Sequence, residues 1–187
     1  MKRTLGVVLL AVVVGIGAGC RDQAKDEAAA AALAEIAQVE ARAETEARNV
    51  ELVKTVIASL EKGQADVFTR LFAPDFKLYF PSNSLTPIPR EDAMGMAKMM
   101  ITAVPDLAYN ILDIFPSGDR VFMRIVFQGT HRAVTGGKPP LEIEIASGAM
   151  AVFRVKDGLI VEEIIDGDAL GLLRQLGLEL RPGKPAK

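Results

Sequence analysis

The sequence is poor in the residues that build disulfides, metal sites and base-stacking surfaces: it has one cysteine, one histidine, no tryptophan and two tyrosines. The single cysteine, Cys20, excludes an internal disulfide, and the single histidine, His131, excludes a metal site with several histidine ligands. Basic residues are not concentrated in any stretch, and 22 Lys and Arg are balanced by 24 Asp and Glu. With so few aromatic side chains and no basic patch, we expect no nucleic-acid partner.

The first twenty residues have the pattern of a bacterial export signal. Two basic residues follow the initial methionine, and the apolar run at 5–16 is shorter than a typical membrane span. Small residues at 17–19 then precede Cys20, an order that resembles a lipoprotein signal, in which the cysteine is lipidated and anchors the protein to a membrane. Arg21 after the cysteine favours the periplasmic face of the outer membrane. An ordinary cleaved signal and an N-terminal anchor helix are the alternatives.

Helix-forming residues dominate the segment from Asp22 to Lys62, which is rich in Ala, Glu, Arg and Gln. Apolar residues recur there at intervals of three and four, as on one face of a helix, but those of the first half are mostly alanine. That half would bury little surface, which is typical of a stalk. The predicted divisions are a lipoprotein signal peptide at 1–19, a helical stalk at 20–48, a domain at 49–180 and a disordered tail at 181–187.

The elements of the domain follow from turn residues and from apolar spacing. Helices are predicted at 49–62, 64–72 and 90–104, and strands at 76–80, 107–115, 120–131, 141–155 and 159–166. Hairpin-length turns such as Asp157-Gly158 separate the later strands and favour antiparallel pairing. Asp168 is placed to cap a short helix after the last strand. Helices first and strands last indicate an α+β fold.

Five short motifs occur in an order that resembles the SnoaL-like polyketide cyclase (ester cyclase) family over residues 48–178. They are Leu71-Phe72-Ala73-Pro74-Asp75-Phe76, Val104-Pro105-Asp106-Leu107, Gly129-Thr130-His131, Thr135-Gly136-Gly137-Lys138-Pro139 and the stretch 154–178. The resemblance implies the cone of nuclear transport factor 2, with N-terminal helices packed on a strongly curved antiparallel sheet. It also implies ring closure of an aldol type by a carboxylate acid/base in an apolar pocket, without metal or cofactor. Relatives commonly pair through the sheet, which makes a homodimer possible, although the sequence does not fix the oligomeric state.

The pocket residues are assigned by matching positions and by strand alternation. His131 occupies the family's Gly-Thr-His position and shares a strand face with Met123 and Phe127, which would place all three toward the pocket. The alternative for His131 is a place on the rim without a function. Tyr79 lies where the family has a polar pocket residue and could orient a ligand oxygen, or it is a half-buried strand aromatic.

The carboxylates of the family pattern are only partly present. Asp168 matches the second of two family aspartates, whereas Ile165 replaces the first, the expected acid/base. Asp166 is one residue away and would face the opposite side of a regular strand unless a bulge at Gly167 turned it. The strand glutamates are predicted to be solvated, with an inward position left open for one of them. These glutamates are Glu142, Glu144, Glu162 and Glu163.

Three functions remain open, since a fold of this kind does not fix a function. The first is a membrane-anchored domain that binds a small apolar molecule with a degraded catalytic site. Its predicted ligand-binding residues are Tyr79, Met123, Phe127, Ile165 and Asp168. The second is a cofactor-independent cyclase or isomerase with His131 and Asp166 as acid and base. The third is a structural lipoprotein that dimerises through its sheet.

Overall fold

The structure is a computed structural model that describes residues 23–133 and 142–178. Its helices are α1 Gln23–Glu61, α2 Val67–Leu71, α3 Arg90–Ala103 and α4 Ala169–Gln175. Its strands are β1 Phe72–Tyr79, β2 Ile88–Pro89, β3 Ala108–Ser117, β4 Arg120–His131, β5 Ile143–Lys156 and β6 Leu159–Gly167. The predicted signal peptide with Cys20, the predicted 135–140 turn and the predicted tail lie outside the described residues.

The chain forms two compact units, one up to Val39 and one from Glu40 onward. In the first unit, residues 23–39 are helical, and the larger apolar side chains Leu33 and Ile36 are 68% and 54% exposed. None of the helices in the described part of the chain is long and apolar enough to cross a membrane. The predicted stalk boundary at residue 48 stays a prediction.

The second unit is built on a six-stranded sheet with the strand order β2-β1-β6-β5-β4-β3. Strands β3 to β6 form the expected antiparallel meander, whereas β1 lies parallel to β6. The sheet is therefore mixed and not purely antiparallel as predicted. No hairpin joins β1 to β6, so no turn between them imposes an antiparallel direction. The α+β class itself is confirmed.

The boundaries of the early elements differ from the prediction. Strand β1 begins at Phe72, the last residue of the predicted helix and four residues before the predicted strand. The two-residue β2 falls in the predicted Pro-rich loop. The apolar run that starts at Val67 fits a helix face and a strand face equally well, which is the usual ambiguity of short apolar runs. Each end of helix α3 and of strands β3 to β6 lies within two residues of the predicted end.

The core lies between the inner face of this sheet and the helices. Val53, Val56 and Ile57 of α1 are buried against Val121, Phe153 and other inner-face side chains. Phe72 joins the aromatic part of this core, stacked on Phe68 at 4.3 Å between ring centroids and edge-on to Phe76 at 4.8 Å. Each such apolar side chain stabilises the fold by about 1.5–3 kcal/mol when fully buried.

Two of the matching motifs meet in space at the end of β4. The carboxylate of Asp106 accepts hydrogen bonds from the Thr130 backbone N–H and hydroxyl, each at 2.7 Å. These bonds hold the pKa of Asp106 below its usual value. A Cβ at Gly129 would collide with Val104 Cγ1, so only glycine permits this close approach. The contact fixes the end of α3 against the inner face of β4.

Candidate functional site

A cavity of about 280 Å³ lies between the helices and the inner face of the sheet. This volume is near the lower end of small-molecule pockets, which run from about 300 to 1,000 Å³. The side chains that border it are mostly large and apolar, and they come from all four helices and from five of the six strands. They include Ile57, Leu60, Phe68, Leu78, Met96, Met100, Ile125, Phe127, Phe153, Ile165 and Leu172.

Four of the seven residues predicted for the pocket border this cavity, and three do not. Met123, Phe127, Ile165 and Asp168 line it. Tyr79, His131 and Asp166 are absent from its described lining. The structure therefore brings together the apolar part of the predicted site but not the predicted acid and base.

Asp166 lies on the outer side of β6. Its carboxylate accepts a hydrogen bond of 2.9 Å from the Ser82 backbone N–H, and hydrogen bonding to Ser82 lowers its pKa. The pairing of β5 with β6 is regular from Glu162 to Gly167, and its one irregularity lies nearer the turn that joins the two strands. No bulge at Gly167 therefore turns Asp166 inward. A stabilised, exposed carboxylate is a weak base.

His131 and Tyr79 are both placed by strand register. His131 is the half-buried last residue of β4, opposite Ile143. Tyr79 is the half-buried last residue of β1, and its neighbour Leu78 is the one that borders the cavity. Because successive side chains point to opposite faces, an inward Leu78 directs Tyr79 away from the cavity.

Glu163 is the inward carboxyl group that the sequence left undecided. It pairs with Leu78 on one side and Phe153 on the other, and all three border the cavity. Although the residue keeps some accessible surface, its carboxyl lies among apolar side chains, and this burial raises its pKa to about 7. Alternation alone could have found it, since Glu163 is two residues before Ile165 and shares its face.

Tyr109 on β3 supplies the phenol of the cavity. Burial, and after it the negative charges of Glu163 and Glu61, raise its pKa to about 12, so it remains a neutral hydroxyl. Glu61 also accepts a 2.7 Å hydrogen bond from the Tyr109 backbone N–H, which ties the start of β3 to the end of α1. The ring of Phe127 lies 6.5 Å from that of Tyr109. No motif in the sequence pointed to Tyr109.

Asp168 closes one end of the cavity through its helix. Its carboxylate accepts a 2.7 Å hydrogen bond from the Gly171 backbone N–H and caps α4, as predicted. Helix α4 then places Leu172 on the cavity, and Gln175 holds the helix to β5 by bonds of 2.9 and 2.8 Å with the Ala146 backbone. Asp168 is thus both a cap and a wall residue.

The described lining contains two carboxyl groups and no lysine, arginine or histidine. No group of three or more His, Cys, Asp or Glu that could hold a metal ion occurs within residues 23–133 and 142–178. The cavity can therefore bury an apolar molecule, donate a hydrogen bond from Tyr109, and exchange a proton near neutral pH through Glu163.

One protein family matches most of the chain. The family described as SnoaL-like polyketide cyclase matches residues 50–176. IdmH of Streptomyces antibioticus, described as a proposed polyketide cyclase, is 28% identical with a TM-score of 0.61 over 70% of this chain and 99% of its own. No curated protein matches the sequence significantly.

Two further solved structures share the fold at lower identity. AclR of Streptomyces galilaeus, described as a proposed hydroxylase, is 23% identical with a TM-score of 0.65 over 71% of this chain and 97% of its own. A SnoaL-like polyketide cyclase candidate from Jannaschia is 21% identical with a TM-score of 0.63 over 72% and 95%.

Proposed function

The chain belongs to the SnoaL-like polyketide cyclase family, and from this premise we propose that its domain binds one small, largely apolar molecule in the cavity between helices and sheet. The observation that carries the proposal is a single deeply placed carboxyl group, Glu163, in a cavity whose other walls are almost entirely apolar. Sites for small molecules have this composition, since apolar walls supply affinity and a few polar groups fix orientation.

The polar groups are arranged to orient one end of such a molecule. Glu163 and the Tyr109 phenol border the same cavity and are close enough for the charge of Glu163 to raise the Tyr109 pKa. The other walls include Met96, Met100 and Leu172, which offer no hydrogen bonds. A ligand with one polar end and one apolar end fits these walls.

Proton transfer by Glu163 is the second candidate function. A pKa of about 7 gives comparable amounts of acid and base at neutral pH, the condition that general acid–base catalysis favours. The neutral Tyr109 hydroxyl could then stabilise a developing enolate oxygen. This arrangement supports a cofactor-independent cyclase or isomerase with Glu163 in the place predicted for Asp166 and His131.

Membrane attachment and dimerisation are further parts of the proposal. Cys20, outside the described residues, is the proposed lipid attachment site, and Cys20→Ser should move the protein from the membrane to the soluble fraction. The outer sheet face exposes 56% of Phe115 and 65% of Met150. A second copy of the chain that covers this face would remove both from water.

Fluorescence of the neutral apolar probe N-phenyl-1-naphthylamine, with the mature chain, tests the binding function. We expect saturable binding of one probe per chain, which Phe127→Asp abolishes because the new carboxylate would be buried in the cavity wall. Phe115→Asp is the matched control, since it places the same charge on an exposed phenylalanine outside the cavity. Equal binding by both variants would refute the assignment of the site.

A further inference from the structure

We propose that the molecule bound in this cavity is a lipophilic ammonium compound, whose positive nitrogen pairs with the Glu163 carboxylate while its apolar part fills the space between α3, α4 and the sheet. The inference rests on the proposed binding function and adds the charge and chemical class of the ligand.

The first argument is the charge of the walls. Glu163 and Asp168 are the only charged residues among the described lining, and both are acidic. Helices α1, α2 and α3 and strands β1 and β4 contribute only apolar side chains. An anionic ligand would therefore meet like charges in a poorly screened interior, where repulsion is strong.

The second argument is the lack of a positive partner for Glu163 in the lining. The titratable groups that share the described lining with it are the Tyr109 phenol and Asp168 at the start of α4, and the phenol also feels the charge of Glu61 on α1. None of these supplies positive charge. A buried carboxylate is costly without a counter-charge, and a cationic ligand supplies the counter-charge that the lining lacks.

The third argument is the aromatic content of the walls. Six aromatic side chains line the cavity: Phe68, Phe72, Phe80, Tyr109, Phe127 and Phe153. The electron-rich faces of such rings attract ammonium groups, and this attraction grows where water is excluded. Aromatic walls together with one carboxylate are a combination that accepts an organic cation with an apolar body.

The pairing has a defined pH dependence. Burial raises the pKa of Glu163 to about 7, so its ionised fraction rises from about 0.1 at pH 6 to about 0.9 at pH 8. The affinity for an ammonium compound should therefore rise about tenfold over this range, while the affinity for a neutral analogue should not. Glu61 is exposed, and the phenol of Tyr109 stays protonated throughout.

Isothermal titration calorimetry with three probes of matched shape tests the inference: 4-phenylbutylamine, 4-phenylbutanol and 4-phenylbutanoate. The mature chain should bind the amine most tightly at pH 8, the alcohol more weakly and the carboxylate not measurably. The advantage of the amine over the alcohol should shrink about tenfold at pH 6. Glu163→Gln should abolish this advantage and its pH dependence while the alcohol still binds. Glu144→Gln, at an exposed position on β5 outside the cavity, should behave as wild type.

Different outcomes test the ammonium assignment and the proposed binding function. Alcohol binding as tight as amine binding at pH 8, or an amine affinity that does not change between pH 6 and 8, would overturn the ammonium assignment and leave the binding cavity standing. Failure of all three probes to bind, together with failure of N-phenyl-1-naphthylamine, would overturn the binding function itself. If Glu163→Gln does not fold, the change in amine affinity of the wild type between pH 6 and pH 8 still tests the ammonium assignment.

Discussion

The buried carboxyl of Glu163 should make the stability of the protein fall as the pH rises. Its pKa is 4.5 when exposed and about 7 in the folded protein, and one pKa unit corresponds to about 1.4 kcal/mol. The folded state thus favours the protonated form. The stability of the fold with protonated Glu163 is fully present below about pH 4.5 and falls as the pH rises toward 7. At pH 8 the fold is about 3 kcal/mol less stable than at low pH because of this carboxyl.

Replacement of Glu163 by glutamine removes this dependence, because the amide is neutral at every pH and has nearly the same shape. Urea unfolding of both proteins at pH 5 and pH 8 measures the effect. The unfolding free energy of Glu163→Gln relative to that of wild type should be about 2–3 kcal/mol higher at pH 8 than at pH 5. Glu144→Gln, whose side chain is exposed, should follow wild type. Parallel pH profiles for wild type and Glu163→Gln would refute the argument that burial perturbs this carboxyl.

Two local contacts give further predictions. Gly129→Ala should lower the unfolding free energy by about 1–3 kcal/mol, because its Cβ collides with Val104; Gly95→Ala, where nothing lies within 4 Å, should be neutral or slightly stabilising in thermal unfolding. Asp168→Ala should cost about 1 kcal/mol through loss of the bond to the Gly171 N–H. Amide hydrogen exchange should then speed up in α4 ahead of the strands, and unchanged exchange in α4 would contradict the capping role.

Strand alternation predicted much of the cavity. The period-two pattern of β4 placed Met123 and Phe127 on one face, and the structure puts both on the cavity. The helix cap at Asp168 was predicted because this aspartate comes just before an apolar run, and the structure confirms it. These features depend on neighbours in sequence, which is why the sequence alone reveals them.

The acidic group of the cavity stayed undecided among four strand glutamates, because the family positions pointed to a different carboxylate. The family pattern drew attention to Asp166, next to the substituted Ile165, whereas the pleat of the strand places Glu163 inward. Tyr79 is the half-buried strand aromatic that the sequence offered as the alternative to a pocket residue. Its family position indicated the pocket, whereas the alternation of β1, with Leu78 buried and bordering the cavity, directs Tyr79 to the other face.

The central claim is that the Glu163 carboxyl lies in an apolar cavity built to receive a ligand. A carbon-13 NMR titration of the glutamate side-chain carboxyls, with Glu163→Gln used to assign the signal, measures this directly. We predict a pKa near 7 for Glu163 in the free protein and a clear fall when 4-phenylbutylamine is bound. A pKa near the ordinary glutamate value of 4.5, unchanged by the amine, would contradict both the burial of the carboxyl and its role as the polar anchor of the site.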